Sequence, residues 1–293
     1  MTFIRRTVYL GKRAVVLEYP APAYGKNRQR PKRKGVTSEE QQRINDRIAA
    51  ARLQGKIACN FDANKDVFLT LTHLAHTTET EARTAIRKYL RAMRRWHPGL
   101  KYICVTEKQG VWNHHLVMSR VDPDFASQLW REMTSTRRTT FSPLDEGENY
   151  WDLAWYLVTG EKPSRKEDPD PEEEENAKKP RKRGQRRWTC SKGLLEPVET
   201  EEVFLRKMNR KPPKLDRDRD YKMISDEVKA DSFGFIHRRV EYVWCGKGMP
   251  PVYKLMEKNR KRETTKGEKT DGKRKAAEGH GRADPGGTGE RRR

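Results

Sequence analysis

Apolar positions alternate along the first twenty residues, with Val8, Leu10, Val15 and Leu17 as members, and this two-residue period predicts strands. The stretch 21–36, rich in Pro, Gly, Arg and Lys, predicts a loop or arm able to follow a phosphate backbone. Ser38-Glu39-Glu40-Gln41 has the pattern of a helix capping box. Ile44, Ile48 and Ala51 then give a modest apolar stripe, and the helix is expected to end near Gly55. Asp66 to Thr72, β-branched and aromatic between polar boundaries, predicts a buried strand. From about Glu79 to Trp96 the period becomes helical, with Ala82, Ala85, Ile86, Tyr89, Leu90 and Met93 as the core stripe. His97-Pro98-Gly99 stops that helix.

Tyr102 to Arg120 has the pattern of a β-hairpin around Lys108-Gln109-Gly110. A helix over Asp122 to Thr134 follows, marked by Phe125, Leu129 and Met133, then a short strand near Thr139 to Phe141 and a helix from about Asn149 to Val158. From residue 66 the order is strand, helix, strand, strand, helix, strand, helix. This predicts an α+β class and a ferredoxin-like arrangement, an antiparallel sheet with helices on one face. Hydrophobics return between Trp188 and Trp244, where Phe233, Phe235, Val240, Tyr242 and Trp244 suggest a hairpin after Asp231-Ser232.

The expected organisation is N-terminal strands, basic loop and helix in 1–60, a core in 61–162, a charged flexible linker in 163–187, a small extension in 188–245 and a disordered basic tail in 246–293. The linker joins the acidic run EDPDPEEEE to KKPRKRGQRR, and such runs bury too little apolar area to fold.

Charge narrows the partners. The 293 residues are 36% charged and carry a formal net charge of +22, which points to a polyanion, most simply nucleic acid. No secretory leader or long apolar segment is evident, so a cytoplasmic protein with no membrane partner is expected. The four cysteines form no CxxC pair, and Cys59 and Cys104 read as reduced core thiols. No GxxxxGK[ST] loop is present, so helicase and polymerase functions would come from the host. On the helix from Glu79, Arg83, Arg87 and Arg91 form either a solvated face or a phosphate-facing, DNA-binding surface.

The candidate chemistry lies in the hairpin. Alternate strand residues share a face, so Asn113 and His115 point one way, His114 the other, and Glu107 can reach the Asn113/His115 side. A carboxylate, an imidazole and an amide oxygen suit Mg²⁺ or Mn²⁺. The alternative is the wet face of an ordinary hairpin. On the helix from Asn149, Tyr150, Trp151, Leu153, Ala154, Leu157 and Val158 fill an apolar arc, and Tyr156 sits on the opposite arc with Asn149, Asp152 and Thr159. A tyrosine shown this way can attack a phosphodiester, with a metal offsetting its weak nucleophilicity; an amphipathic surface tyrosine is the alternative.

These residues carry a resemblance. Phe68-Leu-Thr-Leu-Thr72, then Glu107 with Trp112-Asn-His-His-Leu116, then Tyr156 in LAWYLVTGEK, resemble in order the motifs of the HUH endonucleases, and within them the rolling-circle replication initiators of bacterial plasmids, phages and integrative elements. Asn45 to Phe61 and Thr189 to Pro197 also resemble this group. The resemblance implies metal-dependent nicking of single-stranded DNA at a replication origin, with Glu107, Asn113 and His115 as metal ligands and Tyr156 as nucleophile. It also implies a 5′-phosphotyrosyl intermediate and a freed 3′-hydroxyl that primes synthesis. Two positions depart from the pattern. Asn113 stands where the first histidine is usual, unless a local bulge turns His114 inward. Thr159 stands where a catalytic lysine is usual, and Lys162 is the nearest substitute. A catalytically weakened DNA-binding protein, or the same chemistry used in DNA transfer or transposition, are the alternatives.

Overall fold

The alternation at the N-terminus resolves into a hairpin, β1 (Phe3–Leu10) and β2 (Arg13–Pro20), turned through Gly11 at φ +71°. Glycine is required there twice over, because a Cβ would also lie 2.6 Å from the Ala58 carbonyl oxygen. A computed structural model of the chain describes residues 2–21, 39–136, 138–144, 149–161, 187–200, 203–215, 220–230 and 236–261. The expected arm, the Ser38 cap, almost all of the linker, Phe233 and Phe235, and residues 262–293 lie outside them.

The chain is mixed α+β, with two antiparallel sheets. The first is built from both ends of the chain. β10 (Tyr221–Ala230) and β11 (Ile236–Trp244) form a hairpin, β11 pairs with β2, and the short strands β8 (Val198–Glu199) and β9 (Val203–Leu205) pair with β1. Strands β8 to β11 therefore extend the N-terminal hairpin. The second sheet runs in the order β6-β3-β5-β4-β7, from β3 (Asp66–Thr72), β4 (Tyr102–Gln109), β5 (Val111–Ser119), β6 (Thr139–Pro143) and β7 (Thr189–Cys190). Helix α2 (Glu79–Trp96) carries the chain from β3 to β4, and α3 (Pro123–Thr134) carries it from β5 to β6.

Helices cover both faces of this sheet, not one as the pattern predicts. On one face Leu69, Leu71, Tyr102, Cys104, Leu116 and Met118 pack against the α2 stripe and against Ala126 and Trp130 of α3. On the other, Ile103, Val105 and Val117 pack against α1 (Glu39–Asn60) and α4 (Trp151–Thr159). The physical reason is visible in β4 and β5, which are buried on both sides and so need two covers. Thr78 and Glu81 close a reciprocal capping box at the start of α2.

Three further expectations change. The apolar face of α1 is Ala50, Leu53, Ile57 and Ala58, whereas Ile44 and Ile48 are exposed. The helix also runs past Gly55 to Asn60, because that glycine serves a close approach: a Cβ there would lie 2.5 Å from Cγ of Pro197. In the expected tail, residues 252–261 form a helix, α5, whose Val252 and Met256 join Cys59, Leu195 and Val198 in a small core. Their i, i+4 spacing supplies an apolar stripe within a basic run.

Candidate active site

The site forms on the sheet face that α4 covers. Within β3 the sequence Phe68-Leu-Thr-Leu-Thr72 alternates, so Leu69 and Leu71 enter the α2/α3 core while Phe68, Thr70 and Thr72 turn to the other side. β5 is in continuous register with β3 and β4 through this region, with Thr70 opposite His115 and Glu107 opposite Asn113. No bulge interrupts it. His114 therefore points away from the site, into the α2/α3 side, where it is fully buried. Its Nε2 lies 3.0 Å from Nε2 of His73, its Nδ1 lies 2.8 Å from Oγ1 of Thr106, and Trp130 packs edge-on against it. Burial first, then His73, hold the His114 imidazole down at about 3. It is a neutral core histidine.

Glu107, Asn113, His115 and Tyr156 come together. His115 Nε2 lies 2.7 Å from Oε1 of Glu107, and both side chains are about 6% exposed, so this is not the wet face of a hairpin. His115 Nδ1 is held at 3.0 Å by Oγ1 of Thr70, and its ring stacks on Phe68. Asn113 Oδ1 accepts from Oγ1 of Thr72 at 2.8 Å, and its Nδ2 donates to the Val111 carbonyl at 3.2 Å. Those two bonds orient the amide with its oxygen available for a further partner. Tyr156, half-buried on α4, sets its ring edge-on to His115 with centroids 5.3 Å apart. Its hydroxyl is pushed above the usual tyrosine range, first by burial and then by the Glu107 charge.

The donor set fits a hard divalent cation. A carboxylate, an imidazole nitrogen and an amide oxygen stand on one face, with Thr70 holding the far ring nitrogen of His115 and Thr72 donating to the amide oxygen of Asn113. Among the described residues no group of three or more His, Cys, Asp or Glu side chains could hold a metal; the third donor on this face is the Asn113 amide.

No protein-family model, curated protein or solved structure matches this chain.

The other expected site residues fall elsewhere. Arg83, Arg87 and Arg91 are exposed on α2, on the opposite side of the sheet from Tyr156, and Arg83 is paired to Glu79 at 2.7 Å. Thr159 closes α4: its Oγ1 donates to the Trp155 carbonyl at 2.8 Å and accepts from the Glu161 amide at 3.1 Å, ahead of Gly160 at φ +81°. Lys162 lies outside the described residues. Tyr150 is buried at the entry to α4 and belongs to the core, as its place on the apolar arc predicts. Sequence reasoning missed Gln54. Its Nε2 donates to Oδ1 (2.9 Å) and to the backbone oxygen (2.7 Å) of Asn149, tying α1 to the start of the helix that carries Tyr156. A glutamine one position beyond the core residue Leu53 was the only available signal. For Thr70 and Thr72 the signal is the Phe-x-Thr-x-Thr alternation, which puts both on one face with Phe68.

Proposed function

We propose that this chain is a single-stranded DNA nickase of HUH type that starts rolling-circle replication. The observation that carries the proposal is the seating of Tyr156 over the Glu107–His115 pair, with Asn113 beside them on the same sheet face. The interleaved β3-α2-β4-β5-α3-β6 order, with β3 and β5 central, supports a ferredoxin-like nuclease core.

Glu107, Asn113 and His115 would hold Mg²⁺ or Mn²⁺. That ion would supply Lewis-acid polarisation of the scissile phosphate and offset the Glu107 charge that disfavours the phenolate. The chain's own residues do the rest. Thr70 and Phe68 fix the His115 ring, Thr72 fixes the amide of Asn113, and α4 holds the phenol above them. The Tyr156 oxygen bonds to phosphorus as the bond from phosphorus to the 3′-oxygen breaks. The phenol proton leaves to solvent, and the 3′-oxygen departs as a hydroxyl by taking up a proton. One phosphodiester is exchanged for another, so the strand can be rejoined.

Purified protein mixed with single-stranded oligonucleotides from its own genetic element, with Mn²⁺ or with EDTA, gives a metal-dependent covalent band on a denaturing gel. Tyr156→Phe loses that band and keeps salt-sensitive binding. A band that survives in Tyr156→Phe refutes the nucleophile assignment. The second reading is a DNA-binding protein with weakened catalysis. It is favoured by Thr159, whose hydroxyl is occupied in closing α4 where the pattern has a lysine; tight binding with no band for any oligonucleotide supports it.

A further inference from the structure

On α1, Asn45, Ile48, Ala49 and Arg52 recur at i, i+3, i+4 and i+7 and form a face distinct from the buried Ala50–Leu53–Ile57 side. With Arg187 and Trp188 they line an open cleft of about 590 Å³, within the roughly 300–1,000 Å³ range of ligand sites. Ile48 is 48% exposed, Trp188 is only partly covered by the core, and two guanidinium groups flank them. Arg187 is paired with Asp46, whereas Arg52 is exposed and makes no ion pair among the described residues.

The cleft also has a defined relation to Tyr156. β7 pairs with β4 through Ile103–Cys190 and Cys104–Thr189, and one residue further this register brings Trp188 level with Val105. Val105 is itself opposite His115. Trp188 and His115 therefore share one row and one face of the sheet, two strand spacings or roughly 10 Å apart. Both Trp188 and Tyr156 pack against the same core.

We propose that this cleft is a nucleotide subsite, in which Trp188 stacks one base of a single strand whose backbone runs on to the Tyr156 site, and Arg52 neutralises the adjoining phosphate. The inference rests on single-stranded DNA being the substrate. The chemistry matches that class: an exposed base offers a flat face to an indole, a phosphate offers its charge to a guanidinium, and neither contact demands a particular base. The Arg83–Arg87–Arg91 face, being on the far side of the sheet, is not part of this path.

The test uses the full chain in EDTA, so that no cleavage occurs. A fluorescein-labelled oligothymidylate is titrated by anisotropy across a salt series. Trp188→Ala weakens binding roughly 5- to 100-fold, as expected for loss of one stacked base, while Trp188→Phe keeps most of the affinity. Arg52→Ala makes the dependence of log K on log salt shallower by about 0.7, the value of one phosphate contact on a single strand. Because Trp188→Ala could loosen the fold, an oligonucleotide carrying 5-iodouracil is also photo-crosslinked to the wild-type chain, and the joined peptide contains Trp188. Wild-type affinity in a folded Trp188→Ala variant, with crosslinks only elsewhere, overturns the subsite; a metal-dependent covalent band in that same protein leaves the nickase reading standing. Trp188-dependent binding with no covalent band does the reverse. A wild-type chain that binds no single strand overturns both.

Discussion

On the nickase reading proposed above, Gln54→Leu should slow adduct formation without touching any reacting atom. Gln54 is buried, and its amide makes two hydrogen bonds to Asn149 at 2.7 and 2.9 Å, just before α4. Leucine fills a similar volume and leaves no unsatisfied group of its own. Each bond contributes about 0.5–1.5 kcal/mol net, and Asn149 is exposed, so water replaces its lost donors and the cost stays near the low end, about 1–2 kcal/mol. For a chain of this size that lowers the melting midpoint by about 2–8 °C. The kinetic effect is larger in proportion. Tyr156 lies six residues beyond Tyr150, about 9 Å along the helix, so a shift at the helix entry is transmitted to the phenol. Misplacing a reacting group by about 1 Å costs roughly 100-fold. We expect adduct formation to fall about 10- to 100-fold in single-turnover assays at saturating oligonucleotide, with binding unchanged. Thermal denaturation and adduct kinetics are measured on the same preparation. A lowered midpoint with an unaltered rate would show that α4 is seated without Gln54, and the positioning argument would be wrong.

Other expectations follow from the same geometry. His115→Ala abolishes cleavage at every Mn²⁺ concentration, whereas His114→Ala destabilises the fold by about 2–4 kcal/mol and leaves the metal dependence unchanged; the opposite pattern would mean that the β5 register is wrong. Burial holds His114 at about 3 and His73 below the usual imidazole value, so between the ordinary 6.5 and those depressed values the unfolded chain binds more protons than the folded one. Stability is thus fully present above about pH 6.5 and falls with acidification below it; chemical denaturation between pH 6.5 and 5 should show a shallower fall in His114→Leu, and identical slopes would discount the buried pair. Asn60→Ala costs about 2–4 kcal/mol, because the Asn60 amide exchanges bonds with both the N–H and the carbonyl of Leu195 at 2.8 Å and leaves that backbone unsatisfied when removed, a loss that urea denaturation would read directly.

Much of the site was legible because it is built on strands. A period of two assigns faces without any knowledge of the fold, and so Glu107, Asn113 and His115 were separable from His114 by counting. The 3.6-residue stripe of α2 and the apolar arc of α4 were legible for the same local reason. What could not be read is what each face meets. Whether the Asn113/His115 side is wet or buried depends on α1 and α4 covering it, and that is a long-range contact with no periodic signature. For the same reason the stripe of α1 is not legible locally: Ile44 and Ile48 are as apolar as Leu53 and Ile57, yet it is Ala50, Leu53 and Ile57 that enter the core.

The sequence by itself determined the α+β class, the element order from β3 to α4, and the shared face of Glu107, Asn113 and His115. These follow from local periodicity, which side-chain geometry enforces residue by residue. Only the tertiary structure decided that helices cover both faces of the sheet, that the C-terminal strands complete the N-terminal hairpin, that Gln54 bonds to Asn149 ahead of α4, and that the basic face of α2 looks away from Tyr156. Those outcomes depend on which buried surfaces find one another across long sequence separations, and burial of apolar area is indifferent to sequence order.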